Sequence, residues 1–542
     1  MLRHFSSSIL DSGLPVENML QISMDGPNVN WKFFKLISEK ISLDYGTKLI
    51  NIGSCGLHVV HNCFKTGSTA TDWNPQVSSL LSALYYLFKD TPARREDFMT
   101  QTGSKLLPQK FVSHRWLENI VVCERALEIW PALKQYVKAV EDKKVTNPKT
   151  KSFETVREAL NDKLMLAKIH FFHCIAKQME PFLTKFQAEK PMVPFLCSEL
   201  SDLVKSLMRR FIKSSILDEA ATTEKLIHID VAKSENHCSH KKIDVGFGAD
   251  MELKKAKVSD RDVLQFRMEC KEFLMASLKK LLDKSPIVYS LVRHMSALDP
   301  RKMASRPDAC RADFKKILSF LAQQRRLQMT ECDFVYQQFS HFLDSIPLIG
   351  TEKFKKFSVK EERVDELLCP LMSTSDYDKL LQVVKILLVL SHGQAAVERG
   401  FSVNKEVEVE NLKDKSIVAQ RLVCDTVRSY GGVLNVPITN GLQMSAASAR
   451  TKYDAYLDQE KKRKEKDLQN NKRKQAMEEV EDLKNTQKRL RANIEALTKS
   501  ANQLAEKAEA TGNLTFIAKS NSHRQAAMDK TKELDEKKKN WI

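Results

Sequence analysis

Only sixteen glycines and sixteen prolines serve a chain of 542 residues. Tight turns draw on these two residue types, so few turns over so long a chain predict mostly helix. From residue 76 to about 365 apolar residues recur at helical spacing. Examples are Leu80, Leu81, Leu84 and Leu87; Val156, Leu160, Leu164 and Ala167; and Phe266, Phe273, Leu274 and Leu278. Such stripes are core faces of amphipathic helices. The length is enough for more than one hydrophobic core.

Two segments break the helical rule. Leu20-Gln21-Ile22-Ser23-Met24 reads as a short strand ending in Asp25-Gly26-Pro27, followed by a helix through Trp31, Phe33, Phe34, Leu36 and Ile37. Leu49 to Gly53 reads as a second strand leading into Cys55-Gly56-Leu57-His58, with a helix after it through Val59, Val60 and Phe64. Far along the chain, Leu381 to Leu390 is strongly apolar and runs into Ser391 to Ser402. The expected organisation is a partial α/β segment at 1–75, a helical insertion at 76–365, a return segment at 366–435, and a basic helical tail at 445–542.

The tail opens with Lys461-Lys462-Arg463-Lys464, echoed by Lys472-Arg473-Lys474. A heptad stripe follows: Ala476, Val480, Leu483, Gln487, Leu490, Ile494, Leu497, Ala501, Leu504 and Ala508. It suits a coiled coil or a single solvated helix. The formal net charge is +18, which favours polyanionic partners, nucleic acid above all. Eleven cysteines without a CxxC pair point to reduced thiols rather than a zinc ribbon. The opening residues lack the apolar run of a signal peptide, and the longest apolar runs are too short to span a bilayer.

Asp25, at the end of a predicted strand, is placed to hold Mg²⁺ or Mn²⁺; its plainer reading is an aspartate in a turn. Cys55, His58 and His61 share a spacing of three, and His237, Cys238 and His240 crowd one polar loop, but neither group makes a zinc set. In His114-Arg115-Trp116, Arg115 suits a phosphate and Trp116 an unpaired base; alternatively they form a salt bridge and a core indole. On a helix Glu398 and Ser402 share a face at i, i+4; the plainer reading of Glu398-Arg399 is a buried ion pair.

In order along the chain, these pieces resemble hAT-type transposases. Ala395-Ala396-Val397-Glu398-Arg399-Gly400-Phe401-Ser402 resembles the small-small-x-Glu-Arg-x-Phe-Ser signature of the C-terminal dimerisation region, with Arg421 and Leu422 following. Ser23 to Asn30 resembles the family's acidic strand end, Cys55 to His58 its Cys-x-x-His motif, and Arg115-Trp116 its Arg-Trp motif. The resemblance covers roughly residues 15 to 435. It implies an incomplete RNase H-like domain interrupted by a helical insertion, in a chain that is mainly α. Asp25 and Glu398 would be the second and third metal-binding carboxylates, and Cys55 and His58 would shape the site. Arg115 and Trp116 would grip DNA, and Arg399, Phe401 and Ser402 would belong to the dimerisation region.

The first family carboxylate sits on an opening strand well before the second. Here 24 residues precede Asp25, and Asp11 among them has no strand-like run around it. The resemblance therefore implies an N-terminally truncated, non-catalytic, self-associating nuclear protein. It would bind DNA without sequence preference through Lys461, Lys462, Arg463 and Lys464. No cofactor is expected, save Mg²⁺ or Mn²⁺ if the site is active; no membrane or small-molecule substrate is expected. The alternatives are an active metal-dependent transposase or nuclease, and a nuclear scaffold without DNA affinity.

Overall fold

The long apolar stripes fold as helices. The computed structural model describes residues 2–113, 115–409, 412 and 414–539, and it is mainly helical. No strand occurs among the described residues, so the expected partial α/β core is corrected. Residues 20–24 and 49–55 are extended and run side by side. They share only two backbone bonds, Ile50 N–H to Leu20 O at 2.8 Å and Cys55 N–H to Met24 O at 3.0 Å. On the other flank of 20–24, residues 391–394 are tied mainly by side chains. Gln21 and Ser391 exchange two bonds, and Ser23 Oγ donates to Gly393 O at 3.4 Å. Bonds this sparse do not make a ladder.

The chain divides into two compact units, Met1–Lys413 and Asp414–Ile542. The division falls at 413/414, so residues 414–435 go with the tail rather than with the return segment. Helical insertion and return segment share one core running from Ile50 to Leu390.

In the first unit, α1 (Asn28–Tyr45) ends at Gly46, whose φ of 73° makes a left-handed cap. Its Ile37 and Ile41 form a separate small cluster with Leu49. The main core is built on α2 (Gly56–Thr69), α3 (Asn74–Phe88), α4 (Lys151–Asn161), α5 (Met165–Phe186), α6 (Val193–Met208) and α7 (Asp260–Lys284). Thr150 Oγ1 caps α4 by accepting from Phe153 N–H, and Ser259 and Asp262 form a capping box that starts α7. Phe64 of α2 meets Phe172 of α5 and Phe273 of α7 edge-on, at 4.8 and 5.3 Å. Gly67 lets α2 and α7 touch: a Cβ there would lie 2.0 Å from Ser277 Oγ and 2.6 Å from the Phe273 carbonyl oxygen. α8 (Pro307–Gln323) and α9 (Met329–Ile349) stack Phe314 on Phe339. α10 (Asp378–Leu388) buries Leu380, Val383, Val384 and Leu387, and α11 (Ala395–Val407) follows.

In the second unit, α12 (Asp414–Ser429) precedes the 63-residue α13 (Ala449–Thr511). Gly512, at φ 65°, ends α13, and α14 (Leu514–Lys539) folds back along it. Leu490, Ala501 and Ala508 of the heptad stripe are buried, as are Ser520, Ala527 and Leu534 of α14. Ser520 Oγ donates to Ala501 O at 2.8 Å. Part of the expected coiled-coil seam is thus closed by the chain's own last helix.

Candidate functional site

The site assembles where 20–25, the start of α2, the loop before residue 120 and the start of α11 meet. The loop is held by Asn119, which is fully buried. Its Oδ1 accepts from Val112 N–H at 2.7 Å, and its Nδ2 donates to Val112 O and Trp116 O, both at 3.0 Å. That clamp presents Arg115. Arg115 Nη1 donates to Glu118 Oε1 at 2.9 Å, and Nη2 reaches Glu398 Oε2 at 3.0 Å. Glu398 stands in the first turn of α11, where the helix dipole favours a carboxylate. Its other oxygen, Oε1, lies 3.5 Å from His58 Nε2.

His58 sits in the first turn of α2, three residues after the buried Cys55 at its N-cap. Interaction with Cys55, and then the negative charges of Glu398 and Asp25, raise the His58 imidazole above its ordinary pKa against the opposing effect of burial. Burial alone would push the Cys55 thiol up. The neighbouring His58 and the Gln394 backbone outweigh it, and the net shift is downward. His61, one turn further into α2, is pulled down to about 4, chiefly by burial.

Asp25 accepts a hydrogen bond from Asn30 Nδ2 on α1. It borders a cleft of about 500 Å³ whose walls include Trp31, Asn51, His58, Lys280 and Tyr289. Gly53, at φ 93°, packs against the Tyr289 ring, where a Cβ would come within 2.8 Å. Asp25 and Glu398, 373 residues apart in the numbering, therefore act on one imidazole.

Glu398 thus links Arg115 and His58 through its two oxygens. Each Glu398 oxygen faces a cation or a histidine, and among the described residues no group of three metal-ligating side chains forms. Asp11 ends the helix Leu2–Asp11 and takes a bond from Ser7 Oγ at 3.2 Å rather than joining the site.

Several site residues behave differently from the sequence expectation. Trp116 is 9 % exposed and packs against Phe111 and Phe172, so its ring offers no face to a base. His114 lies outside the described residues. Arg399 is spent within the chain: Nε donates to Glu189 Oε1 at 2.7 Å and Nη1 to Gln187 O at 3.1 Å. Ser402 Oγ bonds the Glu398 carbonyl one turn back, while Phe401 is exposed. His237 is buried, with Nε2 at 2.9 Å from the Val231 carbonyl, which accounts for it without a metal. Lys461, Lys462, Arg463 and Lys464 are all exposed on α13. Glu118 and Asn119 belong to no motif; their signal was only their place beside Arg115-Trp116. Among the described residues no helix is long and apolar enough to cross a membrane. Compared with known proteins, the chain matches no family model, no curated sequence and no solved structure.

Proposed function

We propose that this is a transposase-derived protein of hAT type, built on a remnant of an RNase H-like domain. It no longer cuts DNA, associates with itself, and holds nucleic-acid backbone without sequence preference in the nucleus. The observation that carries the binding part is the charge of α13. Residues 461–474 contain eight lysines and arginines against two carboxylates, a net of +6, with the four leading cations exposed. At helical rise this stretch is about 20 Å long, which matches several phosphates on a duplex. The loss of cleavage is supported by Glu398, whose two oxygens are directed to Arg115 and His58. Self-association is supported by exposed apolar side chains: Val397 and Phe401 on α11, and Val418, Leu422 and Val423 on α12.

Gel-shift titration of random duplex DNA at several salt concentrations tests it. Affinity is expected to fall steeply with salt. Changing Lys461, Lys462, Arg463 and Lys464 together to glutamine is expected to reduce the log–log slope by up to about 4. Salt-insensitive binding, or an unaltered slope in the variant, would refute the proposal; no binding at all would leave a scaffold.

A second reading, an active metal-dependent nuclease, is favoured by the placement of both carboxylates beside His58: Asp25 and His58 line one cleft, and Glu398 Oε1 is 3.5 Å from His58 Nε2. Supercoiled plasmid incubated with the protein and Mn²⁺ decides it. Nicking that disappears in both Asp25→Ala and Glu398→Ala would establish the enzyme.

A further inference from the structure

A second pocket, of about 540 Å³, opens in the first unit between the end of α6 and the loop carrying His237, Cys238 and His240. Its walls are fixed by backbone bonds. Cys238 N–H donates to Phe211 O at 2.8 Å and Lys213 N–H to Asn236 O at 2.9 Å, around the isolated bridge between Ile212 and His237. The buried Ile212 and Leu217 form an apolar floor.

Three cations line the pocket, Arg209, Lys213 and Lys242, of which Lys213 already donates one Nζ hydrogen to the Glu235 carbonyl oxygen at 2.6 Å. Arg210, next in the chain, shows what a spent arginine looks like here, with Nε donating to Gln178 Oε1 at 2.7 Å and Nη1 lying 3.3 Å from Asp244 Oδ2. The Arg209 side chain makes no hydrogen bond or ion pair with any described residue, and Lys242 has no carboxylate of a described residue within ion-pair distance. The hydroxyls of Ser214, Ser215 and Ser239, also in the lining, have no partner among the described residues. Fixed walls, the uncommitted side chains of Arg209 and Lys242, the remaining donors of Lys213 and three uncommitted hydroxyls make a donor set suited to a compact dianion. One carboxylate, Asp218, stands among them. It would repel a bare second anion and accept from a hydroxyl.

We propose that this pocket binds a small phosphate monoester carrying hydroxyl groups. Arg209, Lys213, Lys242 and the serine hydroxyls take the phosphate, and Asp218 takes a hydroxyl of the ligand. The volume suits a sugar phosphate. Its lining shares no residue with the Asp25–Glu398 site.

Isothermal titration of the full chain with glucose 6-phosphate tests the proposal, with glucose, inorganic phosphate and a 5′-phosphorylated hexanucleotide as parallel arms. Glucose 6-phosphate is expected to saturate with a dissociation constant of about 1 mM or below, inorganic phosphate to bind more weakly, and glucose not at all. Arg209→Gln and Lys242→Gln should each weaken binding about tenfold, the worth of one charge-assisted hydrogen bond. The exposed pair change S214A/S215A provides a variant that leaves the core alone, and it should weaken binding about threefold. No saturable heat with glucose 6-phosphate would overturn the proposal. So would binding unchanged in all three variants, or a hexanucleotide that binds while the sugar phosphate does not.

Discussion

Arg115 and Glu398, 283 residues apart in the chain, are joined by an Nη2–Oε2 contact of 3.0 Å. The contact ties the loop clamped by Asn119 to the first turn of α11. Both side chains are partly exposed, at 45 % and 34 %, so solvent screens the pair and its energy is modest. A double-mutant cycle with Arg115→Gln and Glu398→Gln, read by urea unfolding, should give a coupling of about 0.2–1 kcal/mol. Zero coupling would mean that the ion pair does not hold α11 in place.

Gly67 lies where α2 packs directly on the backbone of α7. Gly67→Ala drives a methyl into Ser277 Oγ and the Phe273 carbonyl. The hydroxyl can be removed, but the carbonyl belongs to the backbone of α7. The expected cost is about 1–3 kcal/mol or more, and adding Ser277→Gly should recover only part of it. Thermal melting of the single and double variants checks this, and full recovery in the double variant would place the clash on the hydroxyl alone.

Much of the helical core was legible, and the reason is periodicity. Phe266, Phe273, Leu274 and Leu278 all lie in the core as their spacing requires. That Asp25 and Glu398 both lie beside His58 follows from no local rule, because helix and turn periodicity joins no positions so far apart. The extended runs at 20–24 and 49–53 look like strands from their apolar pattern, but a strand is a property of its neighbours, and here one neighbour supplies two backbone bonds and the other mainly side chains. Trp116 was ambiguous for a related reason: an indole beside an arginine suits a core as well as a base, and only Phe111 and Phe172 decide it. Asn119 was invisible because its clamp closes on Val112, outside any helical or strand register.

His61 makes stability depend on pH. Its folded-state pKa of about 4 lies below the ordinary 6.5, so folding favours the neutral ring. The stabilising contribution is full above pH 6.5 and is lost as the pH falls towards 4. The shift corresponds to roughly 3 kcal/mol. Stability of His61→Gln, measured by urea unfolding across that window, should fall by about that much less than the parent's. Parallel pH curves for the two proteins would show that other groups drive acid unfolding.

The hairpin of α13 and α14 packs partly through small residues, Ala501 and Ala508 of the heptad stripe against Ser520 and Ala527. Ala501 is fully buried, and its carbonyl takes the Ser520 hydroxyl at 2.8 Å. Helices approach this closely only when both faces are small, so a larger side chain must separate them. Ser520→Ala removes the bond but keeps the fit, and should cost about 1 kcal/mol. Ala501→Leu keeps the carbonyl but forces the helices apart, and should cost more, about 1–3 kcal/mol. Amide hydrogen exchange over 490–534 separates the two. Faster exchange confined to residues near 501 and 520 is expected for the serine change, and loss of protection along the whole hairpin for the leucine. If Ala501→Leu leaves protection intact, α14 does not pack on this face of α13.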